Sequence, residues 1–325
     1  MVQVQFVSGV PSGIPQVSHP RHGKNLISNI APRPGARRRS HSLGLRPFRR
    51  LTTTAATSVA NDLEVYACPV CKRLLRQEEG ALHCQTCSKT YPISDGIPDF
   101  ILEELSRSAD PVLRRMRFID RMARIYESRL WYPIVLNIYG GFRSPSLAQL
   151  ISTVTQKLQS TEGRVLDIAC GPGTYGRRIA SPSREVIGID VSMGMLRQGA
   201  VYVAKEGIPN VHFARARVEA LPFEGGLFDA VLCCGSLHLF ADTVVALCEM
   251  ARVMKPAAIL SVFTFGPGSG GILKFRSVRE RSRRKHGLHV FELAEMERYL
   301  TASGFKDFQP EMRGSILTFS ARKTH

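Results

Sequence analysis

The chain has 325 residues, a formal net charge of +17 and 44% hydrophobic residues. This length accommodates one sizeable domain with additional modules, and the apolar content is sufficient for a buried core. Because no apolar run reaches the roughly 18 residues of a membrane-spanning helix, the sequence excludes helical membrane spans and predicts a soluble or peripheral protein.

The first 60 residues form a basic leader with nine Lys and Arg and no acidic residue. A leader rich in Arg, Ser, Pro and Gly, without the apolar centre of a secretory signal, is typical of an organelle transit peptide. A disordered basic arm is the alternative. The Ser/Thr/Ala-rich end favours the chloroplast, whereas the arginine clusters favour the mitochondrion. We predict a disordered transit peptide over residues 1–60 and a chloroplast location, with the mitochondrion as the alternative.

Residues 61–102 contain a cysteine pattern that predicts a zinc ribbon. The spacing is C-x2-C-x12-C-x2-C, formed by Cys68, Cys71, Cys84 and Cys87. Two such cysteine pairs can place four thiolates tetrahedrally around one structural zinc ion. A single iron would use the same ligands. Disulfides are the other alternative, but an organelle interior is normally reducing. A module this small has little core, so metal binding should supply its folding free energy.

Residues 103–144 are predicted to form a helical linker and lid. Apolar residues recur at helical spacing between Asp110 and Trp131, opposite a face rich in arginine. Such a helix could lie on a membrane or contact phosphates, or it could pack on its own protein with its charges in water. The aromatic, glycine-containing segment 131–142 would cover a ligand.

A glycine loop follows the first strand of the predicted main domain. Gly171, Gly173 and Gly176 fit the pattern G-x-G-x-x-G, which allows backbone N–H groups to approach a cofactor closely. Asp167 lies within the preceding strand, and Asp190 ends the next one. Since carboxyl ends of parallel strands meet at one edge, both acids should lie near the loop. Asp190 suits ribose hydroxyls and Asp167 suits a cationic group such as an ammonium, which a nicotinamide cofactor lacks. Alternatively, Asp167 only caps the loop.

Five segments in a fixed order carry a family resemblance: VLDIACGPG, GID, EALPF, FDAVLC and EMARVMKP. Together they resemble class I S-adenosylmethionine (SAM)-dependent methyltransferases over residues 145–325. The resemblance implies an α/β fold with a seven-stranded Rossmann-like sheet, here preceded by the zinc ribbon. Leader, ribbon and catalytic domain in this order resemble plant chloroplast methyltransferase-like proteins and, more distantly, ribosomal RNA guanine-N1 methyltransferases.

The resemblance also implies a SAM site. Asp167 and the glycines would hold the methionine part of SAM, Asp190 the ribose, and Cys234 or Gly235 the rim of the methyl site. Met195 would contact adenine, or else pack in the core, and Arg217 replaces a usual aspartate of the adenine site. His238 is a candidate general base. The full cofactor set is Asp167, Ala169, Gly171, Gly173, Asp190, Val191, Met195, Val218, Cys234 and Gly235.

A basic insertion at 274–285 has seven Lys or Arg and one acid. It suits RNA or an anionic lipid surface, or it is simply a solvated helix face. The sequence therefore predicts an organelle methyltransferase with SAM and structural zinc that acts on a small hydrophobic or lipid-associated acceptor such as a quinol. The alternatives are a ribosomal RNA base methyltransferase and a SAM-binding protein without turnover. Peripheral membrane association and RNA binding are both compatible with this charge pattern.

Overall fold

The structure is a computed structural model, which describes residues 63–101, 126–128, 131–142 and 144–325. The predicted transit peptide and nearly all of the predicted arginine-rich helix at 110–131 lie outside the described residues. Within these ranges, no helix is long and apolar enough to cross a membrane.

The cysteine-containing module is a small antiparallel sheet. Its strands are β1 (Arg76–Glu78), β2 (Ala81–Cys84), β3 (Lys89–Ser94) and β4 (Ile97–Pro98), hydrogen-bonded in that order. Tyr66, Tyr91 and Phe100 form its aromatic core, and the ring of Tyr66 stacks on Phe223 of the larger domain at 5.5 Å. The module and the larger domain therefore share one apolar core.

The larger domain is built on the predicted seven-stranded sheet. Its strands, in chain order, are β5 (Gly163–Ile168), β6 (Arg184–Asp190), β7 (Val211–Arg215), β8 (Phe228–Cys234), β9 (Met254–Phe265), β10 (Phe305–Arg313) and β11 (Ile316–Lys323). The spatial order is β10-β11-β9-β8-β5-β6-β7, and only β11 runs antiparallel to its neighbours. This arrangement confirms the predicted fold.

Seven helices accompany the sheet in the described residues: α1 (Trp131–Gly140), α2 (Leu147–Gln156), α3 (Gly176–Ile179), α4 (Met193–Glu206), α5 (Thr243–Val253), α6 (Arg276–His286) and α7 (Leu293–Ala302). Two helices that follow strand ends begin at side-chain caps: the Ser192 hydroxyl accepts from Met195 N at 3.1 Å, and Asp242 Oδ1 accepts from Val245 N at 3.0 Å. These caps fix where α4 and α5 begin.

The central strand β5 lies at a reversal of strand order. The chain proceeds from β5 to β6 and β7 on one side, and returns to β8 on the other. In open α/β sheets such a reversal leaves a crevice at the carboxyl ends of the strands, where ligands bind. The fold thus places the glycine loop, which follows β5, at the position where a cofactor site is expected.

Strand β9 is longer than predicted. The sequence indicates a strand from Ile259, but the structure begins β9 at Met254, directly after α5. Its pairing with β8 shifts register between Phe228 and Ala230, and Ala257 takes a left-handed φ of 61° in this irregular stretch. An irregular strand start tolerates Pro256, because the missing N–H is not needed there. Ala257 and Ala258 therefore lie in an irregular strand start and do not line the crevice.

The ribbon also covers the free edge of the sheet. Phe100 N donates to Arg215 O of β7 at 2.8 Å, and Ala67 N donates to Pro222 O at 2.8 Å. Exposed edge strands invite pairing with other chains, and covering them is a common protection. Besides bringing its four cysteines together, the cysteine module therefore protects the β7 edge of the sheet.

Candidate functional site

A cleft of about 850 Å³, open to solvent, lies at the carboxyl ends of β5, β6 and β8. Its walls are mainly apolar, and the charged residues among them are Asp190, Arg217 and Glu219. It is lined by Tyr126, Ile168, Ala169, Gly171, Ile189, Asp190, Val191, Met195, Ala216, Arg217, Val218, Glu219, Gly235, Ser236, Leu239, Phe240 and Ala241.

Asp190 ties together the two loops that form the floor of the cleft. Its Oδ2 accepts from Gly171 N at 2.9 Å, and its Oδ1 accepts from Ser192 N at 2.8 Å. Gly171 has a left-handed φ of 55°, a conformation that glycine adopts without steric cost. A carboxylate offers about four lone-pair sites and can accept from a ligand hydroxyl in addition to backbone donors. This chemistry is compatible with the prediction that Asp190 binds a ribose.

Asp167 lies behind the glycine loop, where it is 2% exposed. Its Oδ2 accepts from Gly176 N at 3.0 Å. This is the contact expected if Asp167 only caps the glycine loop. Burial raises its pKa to about 7; the Gly176 N–H opposes this shift, and the nearby Asp190 charge adds to it. Asp167 is therefore near its titration midpoint at neutral pH, and a cation placed beside it would favour the carboxylate.

The predicted cofactor residues divide into two groups. Seven of them line the cleft: Ala169, Gly171, Asp190, Val191, Met195, Val218 and Gly235. The other three, Asp167, Gly173 and Cys234, lie outside its lining as described. Cys234 is 9% exposed at the end of β8, and Gly173 closes the loop turn with a φ of 73°. The roles of all ten residues in cofactor binding remain predictions.

The replacement of the usual aspartate by Arg217 has a local compensation. Arg217 and Glu219 both line the cleft, and Arg217 Nε lies 3.4 Å from Glu219 Oε2. An acid is therefore still available at this wall, two residues further along the chain. The guanidinium of Arg217 occupies one side of that acid.

The environment of His238 argues against the predicted general base. Its ring is 5% exposed, packs edge-on against Phe265 at 4.7 Å, and lies 3.4 Å from Thr264 Oγ1. Burial lowers its pKa to about 3, so the ring stays neutral and binds a proton weakly. The cleft lining includes its neighbours Leu239 and Phe240. We therefore assign His238 to packing beneath the cleft.

Tyr126 is a cleft residue that the sequence did not single out. It lies near Gly171, and the preceding part of its segment lies outside the described residues. The adjacent Glu127 accepts from Arg177 Nη2 at 2.5 and 2.7 Å, and from Thr174 Oγ1 at 2.5 Å. Arg177 is almost fully buried and also pairs with Glu206. No pattern in the sequence distinguishes Glu127 as the partner of Arg177.

The four predicted metal ligands come together in the ribbon. The sulfur atoms of Cys68, Cys71, Cys84 and Cys87 all lie within 4.8 Å of one another, and none forms a disulfide. Tetrahedral zinc with bonds of about 2.3 Å separates its sulfur ligands by about 3.8 Å. Tyr91 Oη lies 3.3 Å from Cys68 Sγ and orients that ligand. The donor set and its compactness fit a structural zinc ion.

A chain of contacts leads from the ribbon to the cleft. Asp99 Oδ2 accepts from Arg215 Nη1 at 2.8 Å, and Arg215 Nε donates to Val191 O at 2.9 Å. Val191 lines the cleft directly after Asp190. Both charged side chains are less than one fifth exposed, so dissolved salt weakens their attraction only slightly. The ribbon thereby helps to fix the backbone beside Asp190.

We expect Asp99→Asn to weaken SAM binding by about three- to tenfold, because losing a partly buried charge pair costs about 1 kcal/mol. Calorimetric titration with SAM measures this change, and elemental analysis should show unchanged metal content. The matched control is Asp95→Asn, which removes an exposed ion pair with Arg197 in the same module. Equal affinities for both variants would contradict the positional role of Asp99.

Comparison with known proteins supports the fold and a methyltransferase activity. Residues 165–257 match the family model described as a methyltransferase domain, and residues 63–96 match that of a Trm112p-like protein. Two uncharacterised chloroplastic methyltransferases of Arabidopsis thaliana are 26% and 28% identical, covering 81% and 80% of this chain and 79% of each relative.

A third relative matches only part of the chain. A demethylmenaquinone methyltransferase of Renibacterium salmoninarum is 38% identical over 109 residues, or 32% of this chain and 44% of the relative. Among solved structures, phosphoethanolamine N-methyltransferase 2 of Haemonchus contortus superposes with a TM-score of 0.53 at 20% identity, covering 66% of this chain and 59% of that one. This superposition supports the fold alone.

Proposed function

We infer that this SAM-dependent methyltransferase acts in the chloroplast on a small hydrophobic, lipid-associated acceptor of the quinol class. The observation that carries the proposal is the apolar wall of the cleft beyond the end of β8, formed by Leu239, Phe240 and Ala241. An apolar wall favours an apolar acceptor, because burying such a surface against the ligand releases water. The partly matching demethylmenaquinone methyltransferase supports the acceptor class, and the chloroplastic relatives support the location.

The residues of the cleft fit SAM and divide the work of binding it. Asp190 would accept hydrogen bonds from the ribose, and Val191, Met195 and Val218 would surround the adenine. Asp167, which is buried behind the glycine loop, would balance the charged amino-acid part. When bound, SAM supplies a methyl group already activated on a sulfonium. The protein therefore contributes orientation and exclusion of water, with Tyr126 and Phe240 as walls of the cleft. Zinc, held by the four cysteines, has a structural role in this proposal.

The pKa of Asp167 predicts a pH dependence of SAM binding. The carboxylate form attracts the ammonium group of SAM, and with a pKa of about 7 this form is lost on acidification. Affinity should fall by about tenfold for each pH unit below 7. Calorimetric titrations between pH 5.5 and 7.5 measure the slope, which Asp167→Asn should abolish. An identical slope in the variant would contradict this role.

The same residue predicts an opposite effect on stability. Because the folded pKa is raised from 3.8, the contribution of Asp167 to stability is fully present below pH 3.8 and lost as pH rises through about 7. At pH 8, Asp167→Asn should raise the melting temperature while weakening SAM binding. The asparagine still accepts from Gly176 N, so the capping contact survives. A variant that loses both stability and affinity would indicate a purely structural acid.

The acceptor class is tested with the full chain and radiolabelled SAM. Purified protein is incubated with plastid lipid extract, with demethylated quinol dispersed in detergent, and with plastid RNA. We expect label in the lipid extract and in the quinol. Label in RNA would instead establish the ribosomal RNA alternative. Label in none of them, with SAM binding intact, would indicate a binding protein without turnover.

A further inference from the structure

One surface of the protein combines exposed apolar side chains with a dense positive charge. On α1, Ile134 and Ile138 are 53% and 47% exposed, and Phe142, four residues further on, is fully exposed. The spacing of four residues places Ile134 and Ile138 on one side of the helix. Phe142 lies beyond the helix end, directly after Gly141, where a Cβ would meet Gly271 N at 2.4 Å. The opposite face of α1 is occupied, since Tyr132 and Leu136 are buried and Tyr139 packs on Phe265 at 5.5 Å. The apolar stripe is therefore not needed for the fold.

A second segment extends this stripe. The backbone of Gly271 lies so close to α1 that a Cβ there would meet Tyr139 O at 2.4 Å and Ile138 O at 2.6 Å. This contact places the following residues beside the stripe, and two of them, Ile272 and Phe275, are 39% and 53% exposed. We call the five residues Ile134, Ile138, Phe142, Ile272 and Phe275 the apolar patch. Clustered exposed hydrophobic residues of this kind mark interaction sites.

Helix α6 begins directly after the patch and carries its charge. Residues 274–285 hold seven Lys or Arg and one acid, Glu280, which already pairs with Arg276 at 2.8 Å. Arg281, Arg283, Arg284 and Lys285 are all exposed. A patch of aliphatic and aromatic residues bordered by several cations matches the chemistry of an anionic membrane, whose headgroups attract Lys and Arg while its acyl region accepts apolar side chains.

The position of the patch also relates to the cleft. Phe265 ends β9 at the carboxyl edge of the sheet, packs against both Tyr139 of α1 and His238, and so connects the patch to the segment that forms the apolar wall. We infer that the apolar patch and α6 form a docking surface for an anionic lipid bilayer. The purpose of such docking would be to deliver a lipid-associated acceptor to the cleft. In this respect the inference rests on the proposed function.

The inference is tested by co-sedimentation of the full chain with vesicles, without SAM or acceptor. We expect binding to vesicles containing phosphatidylglycerol, weakened by salt, and much weaker binding to phosphatidylcholine alone. The triple variant Ile134→Asn, Ile138→Asn and Phe142→Asn should reduce the partition coefficient at least tenfold. Arg283→Glu, Arg284→Glu and Lys285→Glu together should reduce it by about 100-fold, since each cation contributes about 1 kcal/mol. The basic leader is the same in every variant.

Matched controls change equally exposed residues elsewhere. Val201→Asn with Val245→Asn, and Lys157→Glu, Lys205→Glu and Lys306→Glu together, should leave vesicle binding within about threefold when the surface is specific. Unchanged SAM affinity shows that each variant is folded. Equal losses in target and control variants, or no vesicle binding at all, would overturn the inference. Preferential binding to RNA that is unchanged by the three apolar substitutions would also overturn the inference.

The two proposals can fail separately. If the protein transfers a methyl group to detergent-dispersed quinol but does not bind vesicles, the docking surface is refuted and the proposed function stands. If the apolar patch binds vesicles but no lipid acceptor is methylated, the proposed function is refuted and the docking surface stands.

Discussion

Asp190→Ala is expected to reduce SAM affinity by more than about 100-fold. The substitution removes the acceptor for the ribose hydroxyls, and hydrogen bonds to a charged group contribute about 1.5 to 3 kcal/mol each. It also leaves Gly171 N and Ser192 N without their partner, so the glycine loop and the start of α4 lose their common anchor. Calorimetric titration with SAM measures the loss directly.

Two further variants separate binding from folding. Asp190→Asn retains an acceptor for only one of the two backbone donors and should show an intermediate loss of affinity. Asp242→Ala removes an aspartate that caps α5 through the same kind of Oδ1 contact. It should cost about 1 kcal/mol in stability, with SAM binding unchanged. A titration curve for Asp190→Ala that overlays that of the unsubstituted protein would refute the assignment of the cofactor cleft.

Cys84→Ser is expected to unfold the ribbon and to eliminate bound metal. Cys84 is 2% exposed, and in this module the four thiolates replace a large apolar core. Binding of structural zinc contributes about 10 to 16 kcal/mol to folding in comparable small modules. Elemental analysis should fall from about one zinc per chain to near zero. Hydrogen exchange over residues 63–101 should approach that of an unfolded segment.

Loss of the ribbon should also reach the larger domain. Ala67, Asp99 and Phe100 contact Pro222 and Arg215 there, so the cleft wall next to Val191 loses support. We expect weaker SAM binding and lower solubility, as Tyr66 no longer covers Phe223. Cys248→Ser, at an exposed cysteine outside the cluster, is the control and should leave metal and fold unchanged. A chelated protein with native exchange rates would exclude a structural metal.

The sheet and the floor of the cleft were predictable because their signals are local. Buried parallel strands require continuous apolar runs, which the sequence shows before the glycine loop. The acid at the end of β6 could be placed near the glycine loop from strand direction alone. The four cysteine ligands were equally predictable from the sequence, because their spacing is set by the geometry of two turns around one ion.

The remaining features depend on which segments pack together, and single residues do not reveal this. The burial of His238 follows from its contact with Phe265, which lies 27 residues further along the chain. Tyr126 reaches the cleft because Glu127 is held by Arg177, and nothing in the amphipathic pattern distinguishes that pair. The early start of β9 results from a register shift against β8, which only the paired strand can impose.

The pairing of the ribbon with the edge of β7 has a consequence for how the protein responds to dilution. A stabilising partner supplied by a separate polypeptide would dissociate as concentration falls. Here Phe100 and Arg215 belong to one polypeptide, so the local concentration of one for the other is fixed in the millimolar range or above. The supported catalytic unit should therefore persist at any abundance in the cell, in a constant one-to-one ratio.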